Sequence, residues 1–151
     1  KKWTLGGLSA GGQNSCPVLV SEGRVYTGFY DSETGTQNYV CLTTAGKRVW
    51  SYANAGGFYW AGAVAVGDYI FVGTDDGADG SKSMTGSLLM LDAKTGRLLD
   101  KWDGLCGDVR STICYDKATD AFCFTTKGGW LCSVKTGKTS DGSCGQAASG
   151  R

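Results

Sequence analysis

The side chains best equipped for chemistry are carboxylates gathered in two stretches rich in Gly, Ser and Thr. Asp31 and Glu33 stand in YDSETGTQN, and Asp75, Asp76 and Asp79 in TDDGADGSKSMTG. Oxygen donors clustered around glycine turns are the raw material of a hard-cation site, calcium above all. The second stretch departs from a calcium loop at two places. Gly77 occupies a middle ligand position, and Gly86 stands where a bidentate Glu is required. The expectation is therefore a solvated, turn-rich loop with ligand-binding potential; a cation site, or a site completed by another chain, is the alternative. No metal ligand set is assigned.

Nucleophilic chemistry is constrained by a single absence: the chain has no histidine. Ser-His-Asp and Cys-His systems and histidine-based zinc sites are thus unavailable within it. Seven cysteines leave at least one unpaired, and Cys114, Cys123 and Cys132 are spaced nine apart with no C-x-x-C pair. Structural zinc prefers two thiolates from one tight turn, so the spacing argues against it. Alternation with aromatics, as in AFCF and GWLCSV, reads as small buried apolar residues. Lys127-Gly128 reads as a primed two-residue hairpin turn, which needs positive φ, and a Cys123–Cys132 disulfide across that hairpin is the geometric alternative. No catalytic residue is assigned.

Fifteen basic and fourteen acidic side chains give a formal charge of +1 and no basic run, so no nucleic-acid partner is expected. No apolar stretch approaches the roughly 20 residues of a membrane-spanning helix, and membrane insertion is not expected. The opening KKWTLGGLSAGG lacks the apolar centre of a signal peptide.

The elements that position these residues are organised around Ser87–Trp102, SLLMLDAKTGRLLDKW: a strand, a Lys-Thr-Gly turn, and a second strand closing on Trp. Weaker copies are NYVCLTTAGKRVW and GWLCSVKTGK, aligned on Gly46, Gly96 and Gly137. Repeats at such spacing build an architecture from one supersecondary unit. Twenty-five glycines punctuate short runs rich in Val, Ile, Tyr, Phe and Thr, which predicts an all-β chain. Each unit reads as a four-stranded antiparallel meander. The units span about 16–57, 58–106 and 107–144 of one domain covering 1–151, and 1–5 read as a leftover strand of a preceding unit. The turn glycines need a left-handed conformation at the end of a three-residue hairpin loop. Asp92, two residues before Lys94, is placed to accept backbone hydrogen bonds in that turn. Trp3, Trp50 and Trp102 are expected to pack between units, each burying about 150–250 Å². Tyr30, Tyr39, Tyr59 and Trp60 are candidates to line a groove near the long loops, with strand-end packing the commoner role for such aromatics.

The L-D-A-K-T-G-R third strand, the Trp-ended fourth strand and the V-G or T-G ending of the second strand resemble the quinoprotein-like (PQQ-repeat) β-propeller family. The resemblance runs from Cys16 to about Asp141 and weakens in the third unit, which has no Trp after Thr136-Gly137-Lys138. It implies a partial propeller of three blades, stacked radially, with the acidic loops opening on one face. An open wedge would expose two apolar blade faces, to be covered by the remaining blades of a longer protein or by another copy of the chain. Relatives that bind pyrroloquinoline quinone use a complete ring, a calcium ion and a catalytic Asp. Three blades do not close such a cavity, so neither quinone nor calcium is expected as a cofactor here. The resulting expectation is a non-catalytic binding or scaffold module of a bacterial surface, secreted or periplasmic propeller, engaging protein or glycan. The alternative is a fragment of a quinone-dependent oxidoreductase.

Overall fold

The computed structural model describes residues 2–6, 15–29, 39–75 and 85–135. Asp31, Glu33, Asp76, Asp79, Tyr30, Gly137 and the expected fourth strand of the third unit lie outside the described residues. Among the described residues are eleven strands: β1 Leu19–Ser21, β2 Arg24–Gly28, β3 Tyr39–Thr43, β4 Arg48–Tyr52, β5 Ala63–Val66, β6 Tyr69–Gly73, β7 Thr85–Asp92, β8 Leu98–Cys106, β9 Cys114–Asp116, β10 Ala121–Thr125 and β11 Leu131–Lys135. They form three antiparallel sheets in sequential order, β1-β2-β3-β4, β5-β6-β7-β8 and β9-β10-β11. The first strands β1, β5 and β9 lie beside one another, so the sheets radiate from a common inner row.

Side-chain alternation shows that the sheets stand as vanes. Along β6, Ile70 and Val72 join Tyr26, Tyr39, Cys41 and Trp50 of the first sheet, whereas Phe71 joins Phe122 and Phe124 of the third. Likewise Leu89 and Leu91 face the first sheet and Leu88 faces the third. A strand covered on both faces has no polar side, which is why YIFVG and SLLML are nearly continuous apolar runs. The Phe71 and Phe122 rings meet at 4.1 Å between centroids.

The connectors between sheets act as staples. Phe58 N donates to Phe29 O (3.1 Å) in the first sheet, while Gly57 O accepts from Asp75 N (3.2 Å) in the second. The next connector repeats this: Val109 N donates to Thr74 O (3.1 Å), and Asp108 O accepts from Lys127 N (2.8 Å). Gly28 and Gly73 allow the approach, since a Cβ on either would stand 2.4 Å from Phe58 Cβ or 2.3 Å from Val109 Cβ.

Several expectations are corrected. Residues 2–6 form no strand; with no ladder partner among the described residues, the segment is held instead by Trp3, whose Nε1 donates to Thr44 O at 2.7 Å. The hairpin at Lys127-Gly128 is not a two-residue primed turn. Thr126 N donates to Trp130 O across three loop residues, and the positive φ falls on Gly129. The Asp92–Arg97 turn encloses four residues, not three, because Asp92 Oδ1 gathers Lys94 N, Thr95 N and Thr95 Oγ1 at 2.8–2.9 Å. Cys123 and Cys132 do not face each other: Cys132 is opposite Phe124 and Cys123 opposite Ser133, so alternation puts the two thiols on opposite faces. Of the six described cysteines only Cys16 and Cys41 are buried, and Cys114 is exposed. The outer flank of the third sheet is also less apolar than expected, for exposed Leu131 shares it with Cys114, Thr125, Ser133 and Lys135.

Candidate binding surface

In an antiparallel meander, the loops after the second and fourth strands emerge at the same end. That end gathers 53–62, 74–75, 107–113 and 126–130, and there the described residues concentrate buried charge. Asp75 and Asp108 are only 3% and 0% exposed. Arg110 lies between them: its Nε and Nη2 stand 2.9 and 2.7 Å from Asp75 Oδ2, and Nη2 also lies 3.0 Å from Asp108 Oδ2. Lys127 adds a second cation, with Nζ 3.9 Å from Asp108 Oδ2. Two carboxylates and two cations leave the cluster neutral. It stays buried because each charge has an opposite neighbour.

The guanidinium also carries an aromatic cover. Its Cζ is 5.2 Å from the Tyr59 ring centre and 4.9 Å from that of Trp60. These two rings meet edge-on, 4.0 Å between centroids at 69°. Distances under about 6 Å over a ring face attract a cation through the ring quadrupole. The connector thus fixes Tyr59 and Trp60 above a rigid ionic base, and Trp60 remains 37% exposed. Below them, Asn54 Nδ2 donates to Gly57 O and Asp75 O at 3.2 and 3.1 Å, tying the two loops together.

Among the residues singled out from sequence, Asp75 is thus in this cluster as a buried ion-pair partner rather than a solvated loop carboxylate. Tyr39 is buried in the core against Phe58 and Trp50, away from any groove. Trp3 covers Gly46, and Trp50 covers Gly96 while its Nε1 donates to Ala93 O at 3.0 Å. Trp102 is buried 6.4 Å from Phe71, and its Nε1 has no hydrogen-bond partner among the described residues. Sequence reasoning did not single out Asp108, Arg110 or Lys127. The available signal was Asp108-Val109-Arg110, charge flanking an apolar residue, where the preceding connector has Gly57-Phe58-Tyr59.

Among the described residues no group of three or more His, Cys, Asp or Glu side chains could hold a metal ion. The buried carboxylates Asp75 and Asp108 already face a guanidinium, an arrangement that does not fit calcium. At the opposite end, a groove of about 180 Å³ between the first two sheets is edged by Glu22, Arg24, Asp68 and Lys94, charges of both signs.

No protein-family model and no curated protein matches the sequence. Among solved structures, the crystal structure of BamB from Moraxella catarrhalis is similar over 89% of this chain, with a TM-score of 0.60 and 20% identity. The chain spans 36% of that structure's length. Three radiating antiparallel sheets and the likeness to BamB together make this chain a partial β-propeller.

Proposed function

We propose that the chain is a non-catalytic binding module, part of a PQQ-like propeller outside the bacterial cytoplasm, and that it engages a protein through the loop end carrying Tyr59, Trp60 and Arg110. The observation that carries this reading is the exposed Trp60 held over an Arg110 that is itself locked by Asp75 and Asp108. Trp, Tyr and Arg are the residue types that dominate protein-interface hot spots. Holding them rigid before binding lowers the ordering cost of association. Among the described residues at this end, the charged side chains Asp75, Asp108, Arg110 and Lys127 face one another. The remaining blades of a longer protein, or a second copy, are the expected cover for the outer flanks.

A photo-crosslinking residue placed at position 60, in the cells that make the chain, is expected to yield a discrete protein adduct. The same residue at position 94, at the other end of the sheets, should not. Adducts of equal pattern from both positions would remove the loop end as the binding surface. Adding pyrroloquinoline quinone and calcium to the purified chain should leave its melting temperature unchanged, because a ligand specific to the folded state raises it by mass action. A rise of several degrees that needs both would replace this reading with the oxidoreductase one.

A further inference from the structure

We infer that Cys114 and Cys123 form a disulfide within the third sheet when the chain meets a disulfide oxidant. The two residues are direct Cα partners across β9 and β10. Facing residues in an antiparallel pair have Cα atoms about 4.5–5.5 Å apart, within the roughly 4.4–6.8 Å that a disulfide spans. They also share a face. Tyr115, Phe122, Phe124, Cys132 and Val134 pack toward the second sheet, so alternation turns Cys114 and Cys123 together to the outer flank. Both thiols are free, Cys114 exposed and Cys123 half-buried. Cys123 Sγ lies 3.7 Å from Ser133 Oγ, on that same flank, so its thiol leaves this contact with β11 to pair with Cys114 on β9.

Three of the other four described thiols are placed for something else. Cys16 Sγ is held in the core, 3.1 Å from Ala61 O and 3.1 Å from Gly28 N. Cys41 is buried in the first sheet, and Cys132 sits on the wrong face for Cys123. Exposure sets the order of events. The Cys114 thiolate attacks one sulfur of a small disulfide RSSR, forming a mixed disulfide and releasing one thiolate that becomes RSH. The Cys123 thiolate then attacks Cys114 Sγ, breaks the mixed bond and releases the second RSH. Two protein thiols are oxidised to one disulfide, and RSSR is reduced to two RSH.

Oxidised glutathione is the probe. The full chain is incubated with it under native conditions, remaining thiols are alkylated, and the protein is digested with trypsin. The expected product is a linked pair of the peptides Ser111–Lys117 and Ala118–Lys127, lighter than their sum by two hydrogens and lost on reduction. Cys114→Ser and Cys123→Ser should each abolish it. Persistent glutathione on Cys114, a link from Cys123 to the Cys132 peptide, or a link between two chains would overturn the inference.

Discussion

Trp50 lies flat against Gly96, so close that a Cβ built on the glycine would stand 2.5 Å from the indole Cε3. The glycine also holds a φ of +73°, which a side chain adopts only at a cost. Gly96→Ala therefore combines a left-handed strain of about 1–2 kcal/mol with overpacking of about 1–3 kcal/mol. Gly104 has the same φ of +73° and nothing within 4 Å, so Gly104→Ala carries the strain alone. Urea unfolding of the two variants should place Gly96→Ala below Gly104→Ala by at least ~1 kcal/mol. Equal midpoints would mean that the indole does not hold the first two sheets together.

Among the described residues, Arg110 is the only side chain within ion-pair distance of both buried carboxylates, 2.7 Å from Asp75 and 3.0 Å from Asp108. Its removal takes away a cation shared by two buried anions, with Lys127 left 3.9 Å from Asp108, and breaking a buried pair costs about 3–5 kcal/mol. Arg110→Ala is expected to lose that much in denaturant unfolding. Lys94, whose partner Asp68 is 3.0 Å away, provides the contrast: both side chains are largely solvated, at 76% and 70% exposure. Lys94→Ala should leave the unfolding midpoint where it is, because solvent screens exposed pairs. Similar losses in the two variants would show that the loop-end cluster is solvated rather than buried.

These two sites also mark what a sequence reader can and cannot see. The Asp92–Gly96 turn is local, with donors and acceptor inside three residues, so the motif LDAKTG announces both the glycine and the carboxylate. The strand faces were readable because alternation is itself local. Arg110, by contrast, is 35 positions from Asp75, and only the stacking of two sheets brings them together. Asp75 looked like a solvated loop residue because composition carries no information about which connector passes beneath it. The turn at 127–129 was misassigned for a related reason: in Lys127-Gly128-Gly129 either glycine can supply a positive φ, and the Thr126–Trp130 pairing selects the second.

The Asp92 carboxylate accepts from the Thr95 backbone and hydroxyl and from Lys94 N, and these bonds hold its pKa below the ordinary carboxylate value. A depressed pKa contributes stability that is present above the unfolded-state value of about 4 and is lost as pH falls through the lower folded value. Asp92→Ala should melt below the parent chain near neutrality, and the gap should narrow as the pH is taken below about 4. Melting curves across that range test it. A gap that stays constant into acid would mean that the bonds to Asp92 do not depend on its charge.

Tyr26 answers to base rather than acid. Burial, reinforced by nearby Cys41, pushes its phenol up to about 12, so it stays protonated in the folded chain. Between the ordinary tyrosine value of about 10 and this higher one, the unfolded chain loses its proton while the folded chain keeps it, and stability falls as pH rises. Tyr26→Phe retains the ring against Trp50, 5.9 Å away between centroids, and removes the ionisable group. The variant should lose less stability than the parent chain between about pH 10 and 12. Equal alkaline losses would place the titration that unfolds the chain on another group.

The outer flank of the first sheet leaves Val18 and Val20 61% and 63% exposed, and Val49 is exposed on β4 at the other side of the sheet. Val20 faces Val25, which packs on the buried Val40 and Leu42, so the patch continues a core rather than ending one. Apolar area continuous with a core is the usual mark of a surface that meets another chain. In sedimentation experiments the isolated chain is expected to associate with rising concentration, and Val18→Lys with Val20→Lys should shift it toward monomer. Val20 lies in β1, an end strand of only three residues, and Val18 just precedes it; both side chains are already largely solvated, so the charges leave the fold in place. A parent chain that stays monomeric throughout, or a double variant that associates just as strongly, would assign the flank no role in contact between copies.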